Sequence, residues 1–137
     1  MAQLTTDGLA EFSLSMEELR ALPAAVLDEM LAAQADVIEP AQKRTGLAYG
    51  VHRTGVTLAS IRRGRPQRTK DGKAIFITPQ GKNADGNRNA EVAFINEFGK
   101  RGQAPRPFIR NANESHADEA VDAAARKYDL WLKSKQL

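Results

Sequence analysis

The segment EFGKRGQAPRPFIR, residues 97–110, joins an acidic and aromatic start to an apolar end through a basic turn. Gly99 and Gly102 allow the chain to reverse through backbone conformations that are closed to other residues. Pro105 and Pro107 fix their own φ angles and are expected to hold the segment extended, so that Arg106 projects outward. The segment is therefore expected to be a rigid joint between two elements of secondary structure.

The element after the joint is predicted to be a long helix over residues 113–133, with Asn111 or Ser115 as its cap. Phe108 and Ile109 are expected to pack the start of this helix against a sheet. Burial of the two side chains contributes about 3 to 6 kcal/mol of stability in total. Apolar residues follow at helical spacing and form one stripe: Ala117, Ala120, Val121, Ala124, Tyr128 and Trp131.

The element before the joint is predicted to be a strand. The run EVAFI, residues 91–95, and the run KAIFIT, residues 73–78, are rich in β-branched and aromatic residues and are interpreted as two antiparallel strands. A further strand begins near residues 60–61, and Phe98 is expected to end its strand facing the core. The polar loop over residues 79–90 has no apolar anchor and is predicted to be flexible, or to become ordered on a partner.

The N-terminal part of the chain is predicted to contain a weak strand at residues 9–14, a short helix at residues 16–22 and an amphipathic core helix from Ala24. Pro40 should kink or end this helix, because its ring clashes with the carbonyl four residues earlier. The predicted fold is α+β: a single domain over residues 1–137, with an antiparallel sheet of three to four strands and the N-terminal and C-terminal helices packed on it. No apolar run reaches 18 residues, so no membrane span is expected.

The charge is unevenly distributed along the 137 residues, although the net charge is only +3. Residues 1–42 carry eight carboxylates and one arginine, whereas residues 43–110 carry fifteen lysines and arginines and four carboxylates. This asymmetry favours contact with a polyanion or with an acidic surface of a neighbouring subunit, and a solvated basic face is the alternative. The basic connection at residues 64–72 and the loop at 79–90 are candidates for such contact. The cations expected there are Arg62, Arg63, Arg65, Arg68, Lys82, Arg88, Lys100, Arg101, Arg106 and Arg110.

The usual signatures of catalysis are missing from the sequence. Cysteine is absent, the two histidines have no metal-ligand spacing, and no nucleophile elbow or phosphate-binding loop occurs. Glu91 and Glu97 could in principle bind a metal for nuclease chemistry, but Glu97 is expected to pair with Lys100, Arg101 or Arg106 instead. We therefore expect no enzymatic activity, no metal and no cofactor.

Two segments together resemble a known family: HRTGVTLASI at residues 52–61 and VAFINEFGKRGQAPRPFIRNA at residues 92–112. They are similar to motifs of the gene-ten-like tail component family of long-tailed bacteriophages, whose members act as neck or tail-completion proteins. The first motif is matched by Thr54, Gly55, Leu58, Ser60 and Ile61. The second is matched by Glu97, Phe98, Gly99, Ala104, Arg106, Pro107, Phe108, Ile109 and Arg110.

The resemblance implies a structural virion protein that forms a ring of six or twelve identical subunits at the neck or the top of the tail. Its partners would be the head connector and the tail-tube or terminator proteins, with non-specific contact to packaged DNA, and its location before assembly would be the host cytoplasm. Arg106 and Arg110 would contact a neighbouring subunit or DNA, or be satisfied by local carboxylates.

Two alternatives to this function remain. A basic DNA-binding module would need aromatic or polar side chains that contact the bases from a basic helix. The first predicted long helix is acidic and the last is nearly neutral. A metal-dependent nuclease would need clustered acids, and the basic block has only four, which are widely spaced.

Overall fold

A computed structural model of the chain describes residues 22–51 and 55–135. The strand predicted at residues 9–14 and the short helix predicted from Met16 fall on residues 1–21, outside the described part. The described elements, in chain order, are α1 (Ala24–Ala48), α2 (Val56–Ala59), β1 (Ile61–Arg63), β2 (Gln67–Thr69), β3 (Gly72–Ala74), β4 (Ile77–Pro79), α3 (Asn89–Phe98) and α4 (Phe108–Lys135). The predicted α+β class, with a long helix first and a long helix last, is confirmed.

The strands form two separate antiparallel ribbons rather than one sheet of three to four strands. β1 pairs with β4, with Ile61 opposite Pro79, and β2 pairs with β3, with Arg68 opposite Lys73. The predicted strand at residues 73–78 is divided in two, because its first half pairs with β2 across a tight turn and its second half pairs with β1.

The predicted strand at residues 91–95 is wrong, because this segment lies inside the helix α3. Its buried positions are Asn89, Ala93 and Glu97, which are four residues apart and therefore share one helical face. The apolar run on which the strand was predicted is short, and such runs fit a helix as well as a strand.

Helix α1 continues for 25 residues through Pro40. Proline inside a helix removes one hydrogen bond and costs about 3 kcal/mol. Ala35 and Ala41, on either side of Pro40, are fully buried, and so is Met30. The burial along the helix offsets the cost of the proline, so the prediction that the helix ends at Pro40 is wrong.

The described residues form two compact units, of which the first comprises residues 38–64 and 76–115. Its core contains Phe108 at 0% exposure, as predicted, together with Val51, Leu58, Ile61 and Ala93. Ile77 and Ile109 pack against this cluster from its edge. Gly46 is buried in α1, where a Cβ atom would overlap the side chain of Leu58 and lie 3.0 Å from a ring carbon of Phe108. A side chain at position 46 would therefore force Leu58 to move within the core of this unit.

The second unit is formed by the described parts of residues 1–37, 65–75 and 116–137. Its core is a small cluster of Leu22, Met30 and Ala124, flanked by Val26, Tyr128 and Trp131. Ala120 and Val121 are also buried, so the apolar stripe predicted for the last helix is confirmed.

Candidate functional site

Glu97, at the start of the joint, caps the helix that follows it. Its carboxylate accepts hydrogen bonds from the backbone N–H groups of Ile109 and Arg110, at 2.9 Å each. These are among the first N–H groups of α4, which have no partner within the helix. The side chain is only 9% exposed. Glu97 is therefore a structural residue, and the expectation that it pairs with Lys100, Arg101 or Arg106 is wrong.

The turn after Glu97 is held by glycines and by its own backbone. Gly99 and Gly102 have φ angles of 77° and 83°, as the predicted chain reversal requires. A Cβ atom on Gly99 would lie 2.7 Å from the carbonyl oxygen of Gln103 and 2.9 Å from the nitrogen of Pro105, so position 99 has no room for a side chain. Lys100 and Gln103 exchange backbone hydrogen bonds of 3.0 and 2.9 Å across the turn.

Arg106 forms hydrogen bonds that connect the second half of the turn to two other segments. Its backbone N–H donates to the carbonyl of Asn96 at 2.6 Å, and its guanidinium Nη1 donates to the carbonyl of Gly50 at 3.0 Å. The Asn111 amide donates to the Tyr49 hydroxyl at 2.8 Å nearby. We call residues 97–110 with these bonds the joint. These hydrogen bonds restrain the joint, and at least one guanidinium donor of Arg106 is used locally although the side chain is exposed.

An apolar groove lies beside the joint. Phe94 and Phe98 are each 62% exposed, and their rings lie 4.7 Å apart, centroid to centroid. The expectation that Phe98 ends a strand facing the core is therefore wrong. The groove has a volume of about 430 Å³, and its other lining residues are Pro79, Ala90, Ala93, Glu97, Ile109, Arg110, Asn113 and Glu114. We call this surface the aromatic groove.

The aromatic groove was missed from the sequence, although its two phenylalanines are four residues apart. This spacing places both rings on one face of a helix. Interpreting residues 91–95 as a strand instead places Phe98 in the core, where large aromatic side chains of strands normally lie.

A polar cleft of about 560 Å³ occupies another part of the same unit. Asn83, Asp85 and Asn87 contribute to its wall, as do Lys100 and Arg106. The Asn83 side-chain oxygen accepts hydrogen bonds from the backbone N–H groups of Asp85 and Asn87, at 3.0 Å each. The loop between β4 and α3 thus spans residues 80–88 and contains an asparagine-centred turn. Its flexibility and its ordering on a partner remain predictions.

Several of the predicted contact cations already have local partners. Arg63 donates from Nε to the carboxylate of Glu39 at 2.8 Å. Arg88 lies 3.8 Å from the Glu91 carboxylate, and its backbone pairs with that of Lys82. Ion pairs as exposed as the one between Arg88 and Glu91 are worth little and leave the cation available to another anion.

The other exposed cations among those predicted lie at the β2–β3 hairpin, in β1, in the turn of the joint and beside the aromatic groove. Arg65 and Arg68 lie in or next to the β2–β3 hairpin, while Arg62 points to solvent from β1. Lys100 and Arg101 are in the turn of the joint, and Arg110 lines the aromatic groove. Of the predicted cations, Lys100 and Arg106 come together in the wall of the polar cleft.

In residues 22–51 and 55–135, no group of three or more His, Asp and Glu side chains is arranged to hold a metal ion. None of the helices in these same ranges combines the length and hydropathy needed to cross a bilayer.

Comparisons of the chain with protein-family models, with curated proteins and with solved structures found no match.

Proposed function

We propose that this protein is a non-enzymatic assembly protein of a long-tailed bacteriophage, which forms a ring of identical subunits at the neck or top of the tail and joins the head connector to the tail. The observation that carries the proposal is the exposed aromatic groove. Two phenylalanine rings at 62% exposure lie on it side by side. Contiguous exposed apolar surface of this kind is typical of protein interfaces.

The groove is built on rigid supports. Phe94 and Phe98 belong to a helix whose buried face includes Glu97, and Glu97 fixes the start of the next helix through two hydrogen bonds. A surface held in one conformation loses little entropy on binding, so more of the burial energy remains for association. This architecture favours a docking function over a flexible, adaptable one.

A second copy of the chain is the proposed occupant of the groove. In a closed ring each subunit must present two different patches that fit each other. Most of the groove's lining residues belong to the basic block of residues 43–110, although the lining itself carries Glu97 and Glu114 beside the exposed Arg110. Residues 1–42 of the same chain are acidic, which gives a neighbouring copy the complementary charge. The resemblance of the two sequence motifs to phage tail-completion proteins supports the same arrangement.

The test is assembly in the presence of the phage head connector and tail proteins, followed by light scattering and sedimentation velocity. Wild-type protein is expected to form a ring of six or twelve subunits on its partner. The variant Phe94→Ser/Phe98→Ser should remain unassembled, because each exposed ring loses up to about 1.5 to 3 kcal/mol of burial per interface. Full burial of both rings in the interface corresponds to about 3 to 6 kcal/mol and therefore to a dissociation constant at least roughly a hundredfold higher.

Phe76→Ser is the matched control, because Phe76 is 50% exposed and does not line the groove. It should assemble like the wild type. Normal assembly of the double variant would show that the groove is not the interface. Failure of the wild-type protein to associate with itself or with any neck or tail protein would refute the proposed function.

A further inference from the structure

The hairpin formed by β2 and β3 is a second exposed surface with a different character. Gln67, Arg68 and Thr69 of β2 are all exposed, and so are Lys70 and Asp71 at its tip. We call residues 65–74 the basic hairpin. It carries four cations and one carboxylate.

The register of the hairpin places two cations directly opposite each other. Arg68 and Lys73 are directly opposite across the ribbon, so their side chains share a face. Like charges in this position destabilise an antiparallel pair. Lys73 is neutralised by Asp28, at 2.8 Å between Nζ and the carboxylate.

The other three cations have no such partner among residues 22–51 and 55–135. Within the part of the chain that the structure describes, no carboxylate forms an ion pair with Arg65, Arg68 or Lys70. Among the described residues, the hairpin therefore carries three cations without a carboxylate partner, and a bound anion would neutralise them.

The composition of the hairpin distinguishes between the polyanions that could bind. A protein partner would need apolar or aromatic anchors, which carry most of the energy of protein interfaces. Residues 65–74 contain no aromatic and no large aliphatic side chain, and their apolar residues are Pro66 and Ala74. Phosphate contacts need only arginine, lysine and small polar groups, of which the hairpin has Gln67 and Thr69 as well as the cations.

We infer that the basic hairpin binds the phosphate backbone of duplex DNA, without preference for base sequence. Arg65, Arg68 and Lys70 would each contact a phosphate. The guanidinium groups of the two arginines suit this role, because they bind phosphate oxygens in pairs. The inference does not rest on the proposed ring, since a single subunit carries the complete hairpin.

The experiment measures binding of the full-length protein to a fluorescein-labelled 30-base-pair duplex by fluorescence anisotropy, between 50 and 200 mM NaCl. The variant Arg65→Gln/Arg68→Gln/Lys70→Gln should bind at least about tenfold more weakly at the low-salt end. The slope of log affinity against log salt should also fall by about 2 to 3, since each phosphate contact contributes roughly 0.9. A duplex of unrelated sequence should give the same values.

The control variant Lys82→Gln/Lys100→Gln/Arg101→Gln removes the same charge from exposed positions outside the hairpin. It should change the slope by less than about 1. Thermal unfolding monitored by circular dichroism checks that both variants are folded.

Three results would overturn the inference. The first is absence of duplex binding by the wild type, and the second is an equal loss in both variants, which would reflect net charge alone. The third is equally tight, hairpin-dependent binding of polyglutamate at the same salt concentration, which would identify an acidic protein as the partner.

Discussion

Glu97→Ala removes the acceptor that joins helix α3 to the start of helix α4. Two backbone N–H groups, those of Ile109 and Arg110, lose a carboxylate partner at 2.9 Å. Hydrogen bonds to a charged group contribute about 1.5 to 3 kcal/mol each, while loss of a helix cap costs about 0.5 to 2 kcal/mol in total. Because Glu97 is buried, water replaces it poorly, and the free energy of unfolding should fall by about 2 to 4 kcal/mol.

Urea and thermal unfolding followed by circular dichroism would measure this loss. For a chain of this size, the melting temperature should fall by about 6 to 12 °C. Glu97→Gln keeps one oxygen but loses the charge, so roughly half of the effect is expected. Glu119→Gln, at an exposed position of the same helix α4, should change stability by less than about 0.5 kcal/mol. If Glu97→Ala had the same melting temperature as the Glu119→Gln control, the capping role would be refuted.

Two further substitutions test the joint and the core. Gly99→Ala should lower the free energy of unfolding in urea by about 2 to 3 kcal/mol, because a positive φ is combined with overlap on Gln103 and Pro105. Gly102→Ala is the control: its φ is also positive but the space around it is open, so the loss should be only about 1 kcal/mol. Equal losses in the two variants would contradict the overlap at Gly99. Phe108→Ala should cost about 3 to 5 kcal/mol, since the side chain is fully buried, and a loss no larger than that of the half-exposed Phe76→Ala would place Phe108 outside the core.

Some features of the fold were predictable because local sequence and tertiary structure agree. The last helix carries its apolar residues on one face, and Ala120, Val121 and Ala124 are buried as this stripe predicts. The reversal at Gly99 and Gly102 was predictable because only glycine adopts such φ angles readily.

The helix over residues 91–95 could not be predicted from hydrophobic periodicity, because much of its buried face is polar. Two of the three buried side chains of α3 are polar, Asn89 and Glu97, so hydrophobic periodicity does not mark this face. The largest apolar side chain of the segment, Phe94, is 62% exposed, and Val92 and Ile95 are only partly buried. A pattern method that expects apolar residues inside therefore assigns the wrong period.

The cap of helix α4 could not be found from local signals either. Asn111 and Ser115 both begin sequences typical of a capping box, but the helix starts at Phe108 and its cap is Glu97, twelve residues before Ile109. A cap supplied across a turn depends on the path of the turn, which the residue pattern does not encode.

The candidate surfaces were only partly visible in the sequence. The basic character of the hairpin follows directly from composition, whereas the pairing of Lys73 with Asp28 appears only in the structure. The aromatic groove needed the helical assignment of Phe94 and Phe98 before it could be seen at all.

The bond from Ile109 to Glu97 also bears on the order in which the chain folds. It links groups only 12 residues apart, whereas the bond from Gln42 to Asn113 links groups 71 residues apart. Closing a short loop costs less chain entropy than closing a long one. The joint is therefore expected to form early, before the distant segments of the chain have met.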